Sequence, residues 1–350
     1  MIARILLLVV FLLSACHDNS ALDDVTTKDH LFNKQYFIFG TIIEVLIWHH
    51  DKQVVEQALR DVEKSLNGMH HQWHAWKAGR LHEINQALRS GQSFTLTDEE
   101  TQFIQQTQQL SRLSFGYFNP AIGELIHLWG FHTDNYPITT PPPSEAEINR
   151  FLKNAPSMAD IQLKDNKISS TNSHIWLDYG GVAKGYAIDK AIKILQKYGI
   201  ENAIVNAGGD LRSIGSKGDK NWQVAIRKPN SSDIIAVIPV KEDESIFTSG
   251  NYERYKEFNG KRYAHIINPT TGYGISHIIS ATVIAKNGTK ADAAATAMVV
   301  AGKKNWLKVA KSLQLQQFLL IDDDDKCYAT QVLLGRIKKL KTNCQVIQIQ

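Results

Sequence analysis

The stretch Asp178-Tyr-Gly-Gly-Val-Ala-Lys184-Gly185-Tyr186 joins an apolar strand end, Ile175-Trp-Leu177, to a helix predicted to start near Val182. Backbone amides at the start of a helix have no partners inside the helix and attract anions, and Lys184 adds a positive charge there. The same residues would also make an ordinary turn between a strand and a helix. This stretch alone therefore predicts either a phosphate site or a simple connection.

Three further stretches combine small residues with polar side chains: Asn206-Ala-Gly-Gly-Asp210, His265-Ile-Ile-Asn-Pro-Thr-Thr-Gly272 and Asp292-Ala-Ala-Ala-Thr296. Small residues let a backbone come close to a bound phosphate, sugar or cation. The first of these stretches ends a predicted strand in glycines. That pattern is typical of a ligand lying against backbone, and equally of a tight turn.

Asp292 and Thr296 are four residues apart in an alanine-rich stretch, so their oxygens lie on one face of the predicted helix. Oxygen ligands suit a hard cation such as Mg²⁺, whose shell substrate phosphates usually complete. A core helix whose first turn is capped by Asp292 would have the same sequence. The pattern leaves these two interpretations open.

His265 is the candidate acid or base of the chain. A neutral imidazole can accept a hydroxyl proton near neutral pH. The chain holds 13 histidines, and most histidines in proteins are structural. His265 stands out because it opens one of the four stretches.

Composition indicates a folded protein that does not bind nucleic acid. A length of 350 residues suits one large or two ordinary domains, and 43% hydrophobic with 21% charged residues is typical of a globular chain. The net charge is only +4, and the basic residues are dispersed apart from Lys338-Lys339-Leu-Lys341. A nucleic-acid partner would require a stronger basic patch.

The first residues have the pattern of a lipoprotein signal. The apolar run Ile5–Leu13 is followed by Ser14-Ala15-Cys16, which resembles a lipobox in which Cys16 would be lipidated and would begin the mature chain. An uncleaved membrane anchor is the alternative, but nine apolar residues are far fewer than the roughly 20 that span a bilayer. We expect a lipid anchor on the periplasmic side of a bacterial membrane, and His17 favours the outer membrane.

The periodicity of apolar residues predicts an α+β fold, with antiparallel sheets covered by helices. In the first half it predicts a strand with a bend over Tyr36–Trp48, a helix from Val54 to Leu66, and capping boxes at Thr97–Glu100 and Ser144–Glu147. The second half alternates strands and helices. Its predicted strands are Asn202–Asn206, Trp222–Arg227, Ile234–Val240, Ile278–Ala285 and Phe318–Ile321, and its predicted helices start near Val182, Thr289 and Lys303.

Two of these features separate this fold from a Rossmann domain. The strands at Trp222 and Ile234 are joined by a short Pro-Asn-Ser-Ser turn, which predicts a hairpin and antiparallel pairing. None of the glycine motifs has the Gly-x-Gly-x-x-Gly spacing of a dinucleotide-binding loop. In an oxidising compartment Cys327 and Cys344 could form a disulfide, or they could be two buried thiols.

Further motifs in the same order resemble the ApbE family over most of the chain, from about Tyr36 to Gly302. The match includes the four stretches given above. The additional matching segments are Phe39-Gly-Thr41, Trp73-His-Ala-Trp76 with Leu81-His-Glu-Ile-Asn85, Phe115-Gly-Tyr-Phe-Asn119-Pro, Leu128-Trp-Gly-Phe131 and Thr248-Ser-Gly-Asn-Tyr-Glu-Arg254.

The resemblance implies an ApbE or T-fold-like domain over residues 36–335, after a signal peptide (1–15) and a tether (16–35) and before a C-terminal tail (336–350). It implies an Mg²⁺-dependent transferase that takes FAD as substrate. FMN would pass to a threonine in an Asp-x-x-Thr-like motif of an exported or membrane redox flavoprotein. The alternatives are an Mg²⁺-dependent FAD pyrophosphatase and a non-catalytic flavin-binding lipoprotein.

The resemblance also implies roles for individual residues. His265 would be catalytic, and Gly181, Asp292 and Thr296 would be metal ligands. Asn119 and Asn268 stand where the family commonly has Asp, and Ala295 stands where some members have a further Asp. Flavin or adenine contacts are implied for Phe39, Trp76, Tyr117, Phe118, Asn119, Asp178, Lys184 and Ile267.

Overall fold

The computed structural model describes residues 26–28, 30–133, 137–240, 242–252 and 254–349. The predicted signal peptide, Cys16 and His17 lie outside these residues, so the predictions about them stay predictions. No helix in the described ranges combines the length and the hydropathy needed to cross a membrane.

The described part of the chain has eight α-helices and a 3-10 helix at Met158–Asp160. The α-helices are α1 (Lys52–Gln72), α2 (Arg80–Arg89), α3 (Asp98–Leu113), α4 (Gly123–Leu128), α5 (Glu145–Leu152), α6 (Ala183–Lys197), α7 (Gly288–Ser312) and α8 (Gln331–Leu334).

The strands of the described chain alternate with these helices. They are β1 (Thr26–Lys28), β2 (Leu31–Ile38), β3 (Thr41–Trp48), β4 (Phe94–Thr95), β5 (Ile161–Lys164), β6 (Lys167–Ser170), β7 (Ala203–Ala207), β8 (Asp210–Ile214), β9 (Gln223–Arg227), β10 (Ile234–Pro239), β11 (Glu244–Gly250), β12 (Tyr255–Phe258), β13 (Lys261–Ala264), β14 (Ile278–Ala285), β15 (Gln317–Asp322), β16 (Cys327–Thr330), β17 (Lys339–Leu340) and β18 (Cys344–Ile347).

One large sheet organises the fold. Its strand order is β1-β2-β3-β7-β8-β11-β14-β15-β16-β18, and every neighbouring pair is antiparallel except β16 and β18. Helices α1, α6 and α7 pack on one face and form the main core with it. A small sheet of order β17-β10-β9 covers part of the other face and encloses a second core. The predicted α+β class, with antiparallel sheets covered by helices, is confirmed.

Most local predictions are also confirmed. Helix α1 buries Val55, Leu59, Val62 and Leu66 with the expected spacing. Both capping boxes are present, at the starts of α3 and α5. The predicted β9–β10 hairpin is antiparallel. A side-chain cap is worth about 1 kcal/mol of helix stability, so these short signals set helix starts reliably.

Helices α6 and α7 approach each other more closely than ordinary side chains would allow. A Cβ on Gly185 would lie 2.4 Å from the carbonyl oxygen of Gly288 and 2.9 Å from the Cβ of Asp292. A larger residue at position 185 would therefore separate the helices. The buried Asp189 of α6 fixes the start of α7, because its carboxylate accepts from the backbone amides of Gly288 and Thr289, at 2.9 Å each.

The structure corrects three sequence-based boundaries. The predicted tether is wrong for its last part, because β1 pairs with β2, which begins at Leu31. The predicted C-terminal tail is also wrong, because β17 and β18 pair with β10 and β16. The single bent strand Tyr36–Trp48 is instead a hairpin, since Phe39 and Gly40 have φ of 57° and 68° and reverse the chain.

The alanine-rich region holds two helical segments, as predicted. Helix α7 is interrupted by a kink at Gly302, where φ is 65° and ψ is −178°, and its second segment begins at the predicted start near Lys303. Glycine adopts this backbone conformation without a steric penalty.

Cys327 and Cys344 form a disulfide between the parallel strands β16 and β18. The sequence left two free thiols open as the alternative. The bridge closes a loop with a sequence separation of 17 and ties the last strand to the large sheet.

Removing this bridge should destabilise the protein by about 3 kcal/mol, because a loop of this length gains conformational freedom in the unfolded chain. Chemical denaturation of a Cys327→Ser, Cys344→Ser variant would measure the loss. Wild-type protein in reducing buffer should match the variant. Equal stability of variant and oxidised wild type would contradict the prediction.

Candidate active site

Direct contacts join the four stretches at one rim of the large sheet. The Lys184 amine pairs with the Asp210 carboxylate, linking the first stretch to the second. The backbone amide of Gly185 donates to Asp292 Oδ2 at 2.9 Å, linking the first to the fourth. The third stretch is held to α7 because Asn268 Nδ2 donates to a backbone carbonyl there. The structure thus assembles what the sequence only placed in order.

A set of oxygen atoms lies where α6 begins beside α7. Thr296 Oγ1 is 3.1 Å from Ser249 Oγ, and the backbone of Gly181 lies against Thr296, since a Cβ on Gly181 would be 3.4 Å from Thr296 Oγ1. The Asp292 carboxylate, one turn earlier in α7, uses only Oδ2 within the described residues. Asp292 does not cap its own helix, so that alternative is wrong; Asn287 and Asp189 cap it instead.

The Asp292 carboxylate is buried among like charges. Its pKa is raised to about 7, chiefly by desolvation and also by the neighbouring Asp210 and Asp189, while Lys184 and the Gly185 amide oppose the rise. Ala295, one turn along, is fully buried and adds no charge. The oxygen atoms of this set are hard ligands, and the positive charge around them does not balance the negative charge. A divalent cation fits such a set of ligands. The three predicted metal ligands are therefore suited to Mg²⁺.

His265 is held with one ring nitrogen engaged. Nδ1 lies 2.9 Å from the carbonyl oxygen of Arg254, to which it donates as N–H. The pKa of His265 is lowered to about 4, chiefly by burial and also by the charges of Arg254 and Lys184, while the hydrogen bond to the carbonyl opposes the fall. The imidazole is therefore neutral at pH 7, and Nε2 is left as a proton acceptor.

Trp76 and Asp178 form the polar end of an aromatic cluster. Trp76 Nε1 donates to Asp178 Oδ2 at 3.0 Å, and the indole stacks on Trp176 with centroids 5.3 Å apart. The rings of His127 and His132 lie 5.6 and 5.5 Å from Trp76. A ligand ring at Trp76 would therefore join an existing group of rings, a favourable setting for stacking.

The other predicted flavin contacts fall into two groups. Phe39 lines a small apolar pocket with Trp73, Phe103 and Tyr186, and Phe118 Cε2 is 3.7 Å from the place of a Cβ on Gly181. These lie at the rim with the four stretches. Tyr117 is partly buried against the main core, whereas the Ile267 side chain is buried in a separate cluster that includes Trp129 and Phe151. Ile267 thus contributes its side chain to the core.

The two asparagines that depart from the family pattern have structural partners. Asn119 Nδ2 donates to the carbonyl of Pro156 at 3.0 Å, and Asn268 Nδ2 donates to the carbonyl of Val300 at 3.2 Å. A carboxylate cannot donate these bonds. Their amide groups therefore have a role in this fold that aspartate would not fulfil.

Sequence reasoning missed three contributors to the site. Asp210 pairs with Lys184 and accepts from the Thr248 amide at 2.8 Å; Ser249 bonds Thr296; and Arg254 holds His265 through its carbonyl. All three belong to quoted motifs, but no sequence pattern states which element they meet. Only the strand order of the large sheet brings them together.

Comparison with known proteins identifies the family that this chain resembles. Residues 39–319 match the model of the ApbE family. The FAD:protein FMN transferase of Rhodobacter capsulatus is 35% identical over 88% of this chain, which spans 59% of that protein. The Haemophilus influenzae protein of the same name is 28% identical, covering 89% and 90% of the two chains.

Solved structures of ApbE proteins have the same fold as this chain. The ApbE protein of Thermotoga maritima superimposes with a TM-score of 0.81 at 27% identity, covering 88% of this chain and 100% of that one. The flavin transferase ApbE of Vibrio cholerae has a TM-score of 0.76 at 26% identity, covering 87% and 99%.

Acid should destabilise the wild type more than a His265→Gln variant. Between pH 6.5 and pH 4 the unfolded chain protonates its histidine while folded His265 stays neutral, so folding loses free energy as the pH falls. Thermal unfolding across this range should show a steeper fall in melting temperature for wild type. If the melting temperatures of wild type and variant fell equally with pH, the prediction would be wrong.

An Asn268→Asp change should destabilise the protein by about 1 to 3 kcal/mol, because a carboxylate oxygen would face the Val300 carbonyl without a shared proton. Denaturant unfolding would measure this. Asn221→Asp, at an exposed position, is the control with the same charge change and should stay near wild type. Equal losses in both variants would refute the structural role.

Proposed function

The chain belongs to the ApbE family, and we propose that it is an FAD:protein FMN transferase. It would attach FMN from FAD to an acceptor threonine through a phosphoester bond and release AMP. The observation that carries the proposal is the neutral His265, fixed through Nδ1 and close enough to feel the charge of Lys184, whose neighbour Gly185 donates to Asp292 of α7. An acceptor hydroxyl needs such a base, and a pyrophosphate needs such a cation site.

His265 would act through Nε2. Because Nδ1–H donates to the Arg254 carbonyl, the tautomer is set and Nε2 accepts the threonine proton. The threonine oxygen forms a bond to the FMN phosphorus as the bond from that phosphorus to the bridging oxygen breaks. The bridging oxygen leaves with its electron pair on AMP, and His265 passes its proton to solvent.

Asp292, Thr296 and the Gly181 carbonyl would hold Mg²⁺, which supplies neutralisation of pyrophosphate charge. Lys184 and the positive end of the α6 dipole would attract the phosphates. Asp210 holds the Lys184 amine in place. Together these groups orient an anion at the rim where His265 lies.

The aromatic residues would hold the rings of FAD. Trp76 offers an indole oriented by Asp178, and Phe39 lines an apolar pocket next to Ala183, whereas Phe118 is buried in the main core behind Gly181. Rings stack on such surfaces with little loss of side-chain freedom. Asn119 is held by Pro156 and lies next to Phe118 in sequence, so it supports this wall.

An Mg²⁺-dependent FAD pyrophosphatase is the second candidate. The His265 ring is only partly buried, so water could reach Nε2 in place of a threonine. Free FMN and AMP would then be the products. The non-catalytic alternative loses its main support, because Asn119 and Asn268 have structural partners that explain their presence.

We also propose that the protein acts on the periplasmic side of a bacterial membrane, anchored through lipid on Cys16, with the outer membrane favoured by His17. The disulfide between Cys327 and Cys344 supports an oxidising compartment. The acceptors would be exported or membrane redox flavoproteins with an Asp-x-x-Thr-like motif.

His265→Ala should bind FAD but transfer FMN at least about a hundredfold more slowly, the usual contribution of a general base. The full-length protein in detergent would be mixed with FAD, Mg²⁺ and a candidate acceptor, and flavin fluorescence on the acceptor would be read after denaturing electrophoresis. His50→Ala is the matched control, since that exposed histidine follows the end of β3 opposite to the Gly208 turn.

Wild-type fluorescence should vanish with EDTA or with an acceptor Thr→Ala change. Full transfer by His265→Ala would refute the proposed base. A dark acceptor band with free FMN and AMP in solution would establish the pyrophosphatase instead.

A further inference from the structure

An apolar pair lies exposed at the tip of the β2–β3 hairpin. Phe37 and Ile42 are direct partners across the two strands and are 68% and 53% exposed. Farther along the same face, Leu31, Leu46 and Trp48 pack against the second core under β9 and β10. The covering layer ends before the tip, so Phe37 and Ile42 face solvent.

This tip adjoins the candidate active site. The Arg254 guanidinium lies 3.7 Å from the place of a Cβ on Gly40, in the hairpin turn, and the Arg254 carbonyl holds His265. The carbonyl of Ile42 accepts from the amide of Gly208, in the glycine turn that precedes β8. The exposed pair and the catalytic histidine therefore share one rim of the sheet.

Arg254 brings a positive charge to this rim. Its side chain is exposed and makes no ion pair or hydrogen bond with the residues that the structure describes. Lys184, the other cation near His265, is paired with Asp210. An exposed arginine beside an apolar pair can bind an acidic group on a partner.

The surroundings favour a polypeptide over the other occupants. Two side chains cover far less than the about 800 Å² that each subunit of a stable dimer buries. Glu44 lies on the same face next to the pair, held by Asn33 at 2.9 Å and Gln35 at 3.3 Å, and its charge opposes insertion among anionic lipids. An acceptor protein must cover this rim, because its hydroxyl has to reach Nε2 of His265.

We propose that Phe37, Ile42 and Arg254 form the surface that docks the acceptor polypeptide. The apolar pair binds an apolar side chain of the acceptor, and Arg254 binds a carboxylate on it. This inference rests on the proposed transferase function and adds which residues select the acceptor. It assigns these three residues to acceptor specificity, separate from FAD binding.

The test uses full-length protein in detergent micelles with a purified acceptor. A Phe37→Ser, Ile42→Ser variant should raise the KM for acceptor about tenfold or more, as loss of an apolar anchor does. Its affinity for FAD, followed by flavin fluorescence, and its melting temperature should match wild type. Val332→Ser is the control, because Val332 in α8 is similarly exposed, at 54%.

The contribution of the Arg254 charge is tested with separate variants. Arg254→Gln should raise the KM for acceptor and weaken its dependence on salt, and Arg254→Lys should restore part of the affinity. An unchanged acceptor KM in both the double variant and Arg254→Gln would overturn the proposal.

Two further readouts separate the proposal from its premise. Binding of fluorescently labelled acceptor, measured by anisotropy, should be lost in the double variant even if wild type transfers no FMN, a result that would refute only the transferase function. If the double variant fails only when anchored on phosphatidylglycerol vesicles and behaves as wild type in micelles, the pair contacts lipid and the proposal is wrong.

Discussion

The close contact between α6 and α7 at Gly185 is the constraint on which the site depends. The absent side chain lets the Gly185 amide reach Asp292, and the same contact brings Lys184 and Gly181 beside the oxygens of α7. The alanines of α7 complete this by keeping that helix thin and buried. The same small residues that let α7 pack in the core therefore also place the proposed metal ligands Asp292 and Thr296 next to α6.

The charges around this contact are unevenly matched. Asp189 is neutralised by Arg212 and by the start of α7, and Asp210 is paired with Lys184. Asp292 is left with one backbone amide in a desolvated position, which is why its pKa rises to about 7. Structural carboxylates in proteins usually avoid such a position. This excess of negative charge at one buried point is the observation that supports the proposed cation site.

Local signals predicted local structure well, and long-range pairing poorly. The boundaries of β14 and the capping boxes of α3 and α5 follow from periodicity and short polar motifs. The hairpin turn at Phe39 was hidden because an aromatic residue rarely takes positive φ, and β18 was hidden because its pairing with β16 is non-local. Likewise the motifs located His265 and Asp292, but only the folded chain shows that Arg254 and Asp210 hold their neighbours.

Strand β1 sets how far this domain can travel. It fastens the chain to the edge of the large sheet from Thr26 onward. With Cys16 as the proposed anchor, about ten residues separate the lipid from Thr26, and ten residues of any chain span at most about 35 Å. The candidate active site would then stay within a thin layer next to the bilayer. Within that layer an acceptor protein would encounter the enzyme at a high local concentration. An acceptor that stays farther from the membrane would not be modified.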